Sequence, residues 1–229
     1  MIDATQVAER LAVVRDRIAR AGGVGVQVVA VTKTFGIEAV RAAHAVGADA
    51  IGENYAQELV AKLRDEPSRL PVHFIGQLQS NKVRLVAPYV QVYETIDRAS
   101  LATEIARRAP GAQVLVQVTT SGEPGKGGCP PEQVAQLVEH CRGAGLDVLG
   151  LMTVGPTEGG PEAARPGFRR VRGLLDELGL TVCSMGMTDD LEVAVQEGAT
   201  QVRVGSALFG PRPPRDVTDE LTSPVQEER

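Results

Sequence analysis

Apolar positions along this chain fall into two rhythms that alternate. Over 4–21, Ala4, Val7, Ala8, Leu11, Val14 and Ile18 recur three or four apart, the spacing of one helix face, and Gly22 and Gly23 end the run. The next segment, VQVVAVTK at 26–33, is β-branched and almost continuously apolar, as a strand covered on both faces must be. A helix over about 37–46 follows, stopped by Gly47. The pair then repeats: strand 50–54 and helix 56–66, strand 72–77 and a short helix near 79–87 ending at Pro88, strand 90–97 and helix 100–109. Strand 113–120 leads through a Gly/Pro loop to a helix over about 131–144. Strand 147–154 precedes a helix near 162–178, strand 180–187 a helix over about 189–197, and the last strand lies within 200–210.

Eight strands separated by helices predict a parallel sheet. Eight such units in 229 residues suit a single closed (β/α)8 TIM-type barrel with an extra N-terminal helix. An open doubly wound sheet is the runner-up, but TKTFG stands after the first strand where that fold would carry G-x-G-x-x-G. The barrel is expected over 1–210 as one domain. The segment from Pro211 to Arg229 is rich in proline and charge and is expected to be a mobile tail.

Composition narrows the function classes. The net charge is −5 and the basic residues are scattered, so no nucleic-acid face is expected. No stretch approaches the ~20 apolar residues of a membrane helix, and Glu9, Arg10, Arg15 and Asp16 interrupt the first helix too often for an export signal. Cys129, Cys141 and Cys183 match no zinc spacing, so no metal is expected; free thiols point to a reducing cytoplasm.

Barrels of this kind carry their sites at the C-terminal ends of the strands. Strand 1 ends in Lys33, on the same side as Val29 and Val31. A lysine held near an apolar wall is costly to charge, and its neutral amine can attack an aldehyde. Only four lysines (33, 62, 82, 126) stand among the 24 basic residues; the others are arginine, which cannot form an imine. Strand 8 turns Arg203 opposite to Val202 and Val204, and Gly205-Ser206 then opens a helical turn whose N–H groups suit a phosphate. The end of strand 7, Ser184 to Asp190, offers further hydroxyl and N–H donors. Asp189 and Asp190 read as helix-start acids, with Thr188 or Asp189 as the cap. Asn54, at the end of strand 2, is a candidate partner for a ligand hydroxyl or for Lys33. His73 lies early in its strand and reads as a supporting histidine. The loop Ser121 to Gly128 lacks the phosphate-loop spacing and reads as a flexible cover over the mouth. An imine-capable lysine beside a phosphate cradle and an inward arginine describes either a pyridoxal 5′-phosphate (PLP) site or a Schiff-base aldolase for a sugar phosphate.

Six segments, VVAVTKTF (28–35), IGENYAQEL (51–59), HFIGQLQSNK (73–82), GLMTV (150–154), SMGMTDD (184–190) and VRVGSALFG (202–210), resemble the YggS/PROSC family of PLP-homeostasis proteins in order and spacing. The likeness spans about 28–210. It implies a barrel like the N-terminal domain of alanine racemase, with PLP joined to Lys33. It implies that Ser184, Met185 or Gly186, Gly205 and Ser206 hold the phosphate and that Arg203 faces the pyridine nitrogen, weakening the electron sink. Thr188 departs from the serine usual in the family and keeps its hydroxyl. Because the chain ends soon after strand 8, no second domain is expected to supply an opposite-face acid or base. The family likeness therefore implies carriage and buffering of PLP, with PLP-dependent apo-enzymes as recipients, and a monomer; a PLP-dependent amino-acid racemase or lyase is the alternative.

Overall fold

A computed structural model describes residues 2–123 and 125–211. Helix α1 (Ala4–Arg20) precedes β1 (Gln27–Val31), α2 (Ile37–Ala45), β2 (Ala50–Glu53), α3 (Ala56–Leu63), β3 (Val72–Phe74) and α4 (Val83–Val86). Then come β4 (Val92–Ile96), α5 (Ala99–Arg108), β5 (Gln113–Gln117), α6 (Val134–Gly143), β6 (Asp147–Met152), α7 (Arg165–Glu177), β7 (Val182–Ser184), α8 (Leu191–Gln196), β8 (Gln201–Val204) and α9 (Ser206–Phe209). Each strand pairs in parallel with the next, and β8 closes on β1 with Val28 opposite Val202 and Val29 opposite Arg203. This is the closed eight-stranded barrel that the βα alternation predicts.

The alternation of side chains along each strand sorts the interior from the helix layer. Val28, Ala30, Ile51, Tyr93, Val114, Val116, Val202 and Val204 turn outward beneath the helices. Val92, Leu115 and Met152 form a separate small cluster on the inner side. Much of the remaining lining is polar and buried, including His73, Glu94, Gln117, Gln201 and Arg203. A barrel filled with apolar side chains needs no such groups, so their burial calls for a reason beyond stability.

The strands stop earlier than their apolar runs suggest. Strand 1 ends at Val31 rather than 33, strand 5 at Gln117 rather than 120, and strand 7 at Ser184 rather than 187. The residues beyond form the mouth, where the chain must turn outward to reach the next helix. Residues 80–82, 131–133 and 161–164 are single 3-10 turns leading into α4, α6 and α7, and proline stands first in the last two. The tail expected over 211–229 lies, from 212 onward, outside the described residues.

Helix α1 buries Val7, Leu11, Val14 and Ile18 of the predicted stripe, leaves Ala4 and Ala8 exposed, and packs beside α2, α8 and α9. Arg10 Nη1 donates to the Leu208 carbonyl at 3.1 Å; Arg17 pairs with Glu192 at 2.6 Å and donates to the Thr188 carbonyl at 2.8 Å. Its start is set by Asp3, which accepts a hydrogen bond from the Thr5 amide at 2.9 Å. Asp3→Ala is expected to cost about 1 kcal/mol, read as a lower urea midpoint at unchanged slope.

Candidate cofactor site

The mouth is built where β1, β2, β7 and β8 end. Val29 and Val31 face inward: a Cβ on Gly52 would lie 3.1 Å from Val29 Cγ1, and one on Gly205 would lie 3.3 Å from both Cβ and the carbonyl oxygen of Val31. Gly205 therefore lets β8 and β1 approach closely just below Lys33. Thr32 carries the pairing one residue further, its amide donating to the Gly52 carbonyl at 3.0 Å, and Lys33 follows, half-buried. The next residue, Thr34, has φ of +68°, the left-handed region that a β-branched residue seldom occupies. Phe35 then stacks at a tilt on Phe209 of α9, ring centres 5.4 Å apart, which joins the turn after Lys33 to the turn after Arg203.

Below the mouth lies a buried polar frame. Glu94, fully buried on β4, lies 2.6 Å from His73 Nδ1 through Oε1 and accepts from Ser184 Oγ at 2.6 Å through Oε2. Gln201 Nε2 donates to Glu94 Oε1 at 2.8 Å and to Ser184 Oγ at 3.0 Å. Arg203 Nη1 donates to Ser184 Oγ at 2.7 Å, and Nη2 to the Thr153 carbonyl at 2.8 Å. Burial pushes the Glu94 carboxyl up, but the His73 hydrogen bond and charge, the Arg203 charge and the Ser184 hydroxyl outweigh it and leave Glu94 below its ordinary value. Burial draws Arg203 down, against the opposing pull of Glu94 and Asp190. An arginine so placed stays charged, and the frame fixes its orientation.

The phosphate side is open. Ser206 is exposed and its hydroxyl lies 3.3 Å from that of Thr188. Gly186 sits at φ +93°, where a Cβ would come within 2.5 Å of Ala194. Its carbonyl accepts the Arg203 amide at 3.0 Å, so the end of β7 is tied to β8. Met185 is buried. Ser184 stands apart from these: it is fully buried and its hydroxyl is spent on Glu94, Gln201 and Arg203, so the structure places it in the frame beneath the mouth.

Two expectations are corrected here. The residue before α8 is Asp190, not Thr188 or Asp189; its carboxylate reaches back to the Met187 amide at 2.6 Å, and Glu192 is engaged by Arg17. The loop over the mouth is fastened rather than loose. Gln77 holds the Gly125 carbonyl at 2.7 Å, Gln117 the Gly127 carbonyl at 2.7 Å, and Lys126 the Gly155 carbonyl at 2.6 Å, while Glu123 takes the Thr157 amide and hydroxyl.

Glu94 and Gln201, which hold the frame beneath the mouth, are residues that the sequence reading passed over. A glutamate inside a strand otherwise apolar on that stretch, VYETI, was the one available signal. The three cysteines are buried, and burial pushes the Cys183 thiol up to about 12, which fits packing rather than chemistry. Among the described residues no cluster of three or more His, Cys, Asp or Glu is arranged for a metal, and no helix is long and apolar enough to cross a membrane. Open clefts of about 520 and 500 Å³ lie beside α4 and α5 and between α2 and α3; the second is lined by Phe35, Glu58 and Lys62 and so borders the turn after Lys33.

The mouth fits PLP. Asn54 Oδ1, just past the end of β2, and Thr34 Oγ1, next in sequence to Lys33, are buried without any hydrogen-bond partner, a costly state that a polar ligand would relieve. Gly205 and Gly186 keep backbone N–H groups clear of Cβ atoms, as a phosphate requires.

A barrel with a strand-1 lysine, an inward strand-8 arginine and a glycine-lined end to strands 7 and 8 defines an alanine-racemase-type cofactor barrel, and residues 2–213 match the family model for the alanine racemase N-terminal domain. The chain is 42% identical over 221 residues to the pyridoxal phosphate homeostasis protein of Pseudomonas aeruginosa, covering 90% of this chain and 96% of that protein. It is 41% identical to the protein of the same name from Aquifex aeolicus, covering 89% and 97%. Among solved structures, PipY of Synechococcus elongatus, determined with PLP bound, superposes with a TM-score of 0.76 at 33% identity, covering 89% of this chain and all of that one. The chain belongs to the pyridoxal phosphate homeostasis protein family.

Proposed function

We propose that this protein binds PLP through Lys33 and serves PLP homeostasis, carrying or buffering the cofactor without robust turnover. The observation that carries the reading is that Lys33, just past the end of β1, and the buried Arg203 belong to neighbouring strands, Val29 of β1 lying opposite Arg203 of β8 in register. Bound to an amine, PLP supplies an electron sink whose strength depends on a protonated ring nitrogen. Arg203 already carries its protons and is locked by Ser184 and Thr153, so it offers that nitrogen a hydrogen bond and withholds a full proton. Asn54 would take a cofactor hydroxyl, and the Met185–Gly186 and Gly205–Ser206 backbone with the Ser206 hydroxyl would hold the phosphate. Ser184 orients Arg203 rather than touching phosphate. In this reading the protein is a cytoplasmic monomer and PLP-dependent apo-enzymes are the recipients.

The test is the visible absorbance of the protein with added PLP, beside Lys33→Ala. Wild type is expected to gain a band that borohydride fixes to Lys33. The variant is expected to lose that band and bind about tenfold more weakly, the phosphate contacts remaining. Incubation of the loaded protein with L-alanine should yield neither D-alanine nor keto acid at the ~1–1,000 per second of ordinary enzymes; turnover at those rates would restore the racemase or lyase reading.

A further inference from the structure

We infer that Lys62, held by Glu53 and Glu58, is a positioning residue that both sets the turn carrying Lys33 and keeps the reactive aldehyde chemistry on Lys33 alone. The inference rests on the reading of Lys33 as the cofactor lysine and adds the groups that select it.

Lys62 lies on α3 and its side chain is only 3% exposed. Its ammonium has three protons, and three acceptors surround it: the Thr32 carbonyl at 2.8 Å, Glu53 Oε1 at 2.5 Å and Glu58 Oε1 at 3.0 Å. Glu53 is fully buried and takes the Thr32 hydroxyl on the same oxygen at 2.6 Å. Burial pushes Glu53 up, with Lys62 and Thr32 opposing it. Glu58 Oε1 also accepts the Thr34 amide at 2.6 Å. The cluster thus grips the residue before Lys33 through its carbonyl and hydroxyl, and the residue after it through its amide.

That grip explains the strained turn. Thr34 is the one non-glycine residue with positive φ among the described residues, a conformation that a β-branched residue keeps only where its surroundings impose it. The Glu58 carboxylate is the group that receives the amide in that conformation. Without it Thr34 would relax, and the Lys33 side chain would leave the mouth at a different angle.

The same contacts separate the two amines. An imine joins an amine nitrogen to an aldehyde carbon and expels water, which requires the nitrogen lone pair to be free of a proton. The Thr32 carbonyl, Glu53 and Glu58 enclose the buried Lys62 nitrogen and their oxygens take its three N–H groups, so an aldehyde carbon has no approach to it. Lys33, half-buried at the end of β1, is the lysine left to react at the mouth.

The experiment is competitive acetylation of the apo-protein with acetic anhydride across pH, mapped by peptide mass spectrometry, together with the rate of appearance of the PLP band. It compares wild type, Glu58→Gln, Glu58→Ala and Lys62→Met. Wild type is expected to acetylate at Lys33 and to leave Lys62 unmodified until unfolding. In Glu58→Ala, acetylation and borohydride-fixed PLP should spread to Lys62, and the PLP band should form at least about tenfold more slowly. Glu58→Gln, which keeps an acceptor for the Thr34 amide, should recover most of the rate. Lys62→Met should slow the band while leaving Lys33 as the modified residue. Glu58 is partly exposed, so its variants are expected to fold, as circular dichroism would verify. A purely structural cluster would lower the melting temperature and leave the Lys33-to-Lys62 ratio and the rate unchanged; that result in folded Glu58→Ala and Glu58→Gln overturns the proposal. Should wild type give no PLP band while the acetylation pattern shifts as described, the cofactor reading fails and the positioning role stands.

Discussion

Glu94→Ala is expected to destabilise the protein by roughly 3–5 kcal/mol, the cost of breaking a buried charged network by removing one partner. Glu94 is the acceptor on which the barrel's inner frame converges: His73, Ser184 and Gln201 all contact it, and the nearest Arg203 nitrogen lies 4.0 Å away. Removing it takes the nearest counter-charge from a buried guanidinium and an acceptor from His73, Ser184 and Gln201. Urea denaturation at neutral pH measures the loss. The pH dependence has a definite sign. Glu94 titrates below its ordinary value of 4.5 in the folded protein, so its contribution is complete above that value and is lost as pH falls through the lower, folded one. Wild type should therefore lose stability in acid below about pH 4.5, and Glu94→Ala should show a flatter curve there. A wild-type slope retained in the variant would assign the acid sensitivity to other carboxylates. The site should report the same change, because Arg203 loses the frame that orients it: PLP affinity should fall as well.

Gly150→Ala is expected to cost about 3 kcal/mol or more, or to prevent folding, because the added methyl meets backbone. A Cβ at this position would lie 1.8 Å from the Val182 carbonyl oxygen and 2.6 Å from its carbon. Gly150 pairs with Val182 in the β6–β7 ladder, and the next two pairs up are Leu151 with Cys183 and Met152 with Ser184. Only a shift of β7 relieves the contact, and that shift moves Ser184 out of the frame. Thermal unfolding and PLP binding should fall together. Gly143→Ala serves as the contrast: it lies at a helix end with nothing within 4 Å of its Cβ position, and its stability should change by less than about 1 kcal/mol. Equal behaviour of the two variants would refute the packing argument.

The order of elements, the parallel sheet and the closed barrel were legible because they follow from local periodicity: continuous β-branched runs separated by amphipathic helices leave few other arrangements. The inward side of Arg203 was legible because strand alternation assigns it, and glycines mark the ends of β7 and β8 where the phosphate is proposed to lie. Helix starts were less so. Thr188, Asp189 and Asp190 are all chemically suitable caps, yet the chain path puts Asp190 before α8 with its carboxylate on the Met187 amide and no side-chain bond to the helix.

What the chain's residues determine by themselves is thus the barrel and the strand ends that carry its chemistry. What tertiary structure alone decided is which groups those residues meet. Glu94 and Ser184 are 90 positions apart, and Lys62 reaches back 30 positions to Thr32, so no local pattern pairs them. Closure of β8 onto β1 brings such residues inside one wall, where burial makes every unpaired polar group costly and so makes each contact specific.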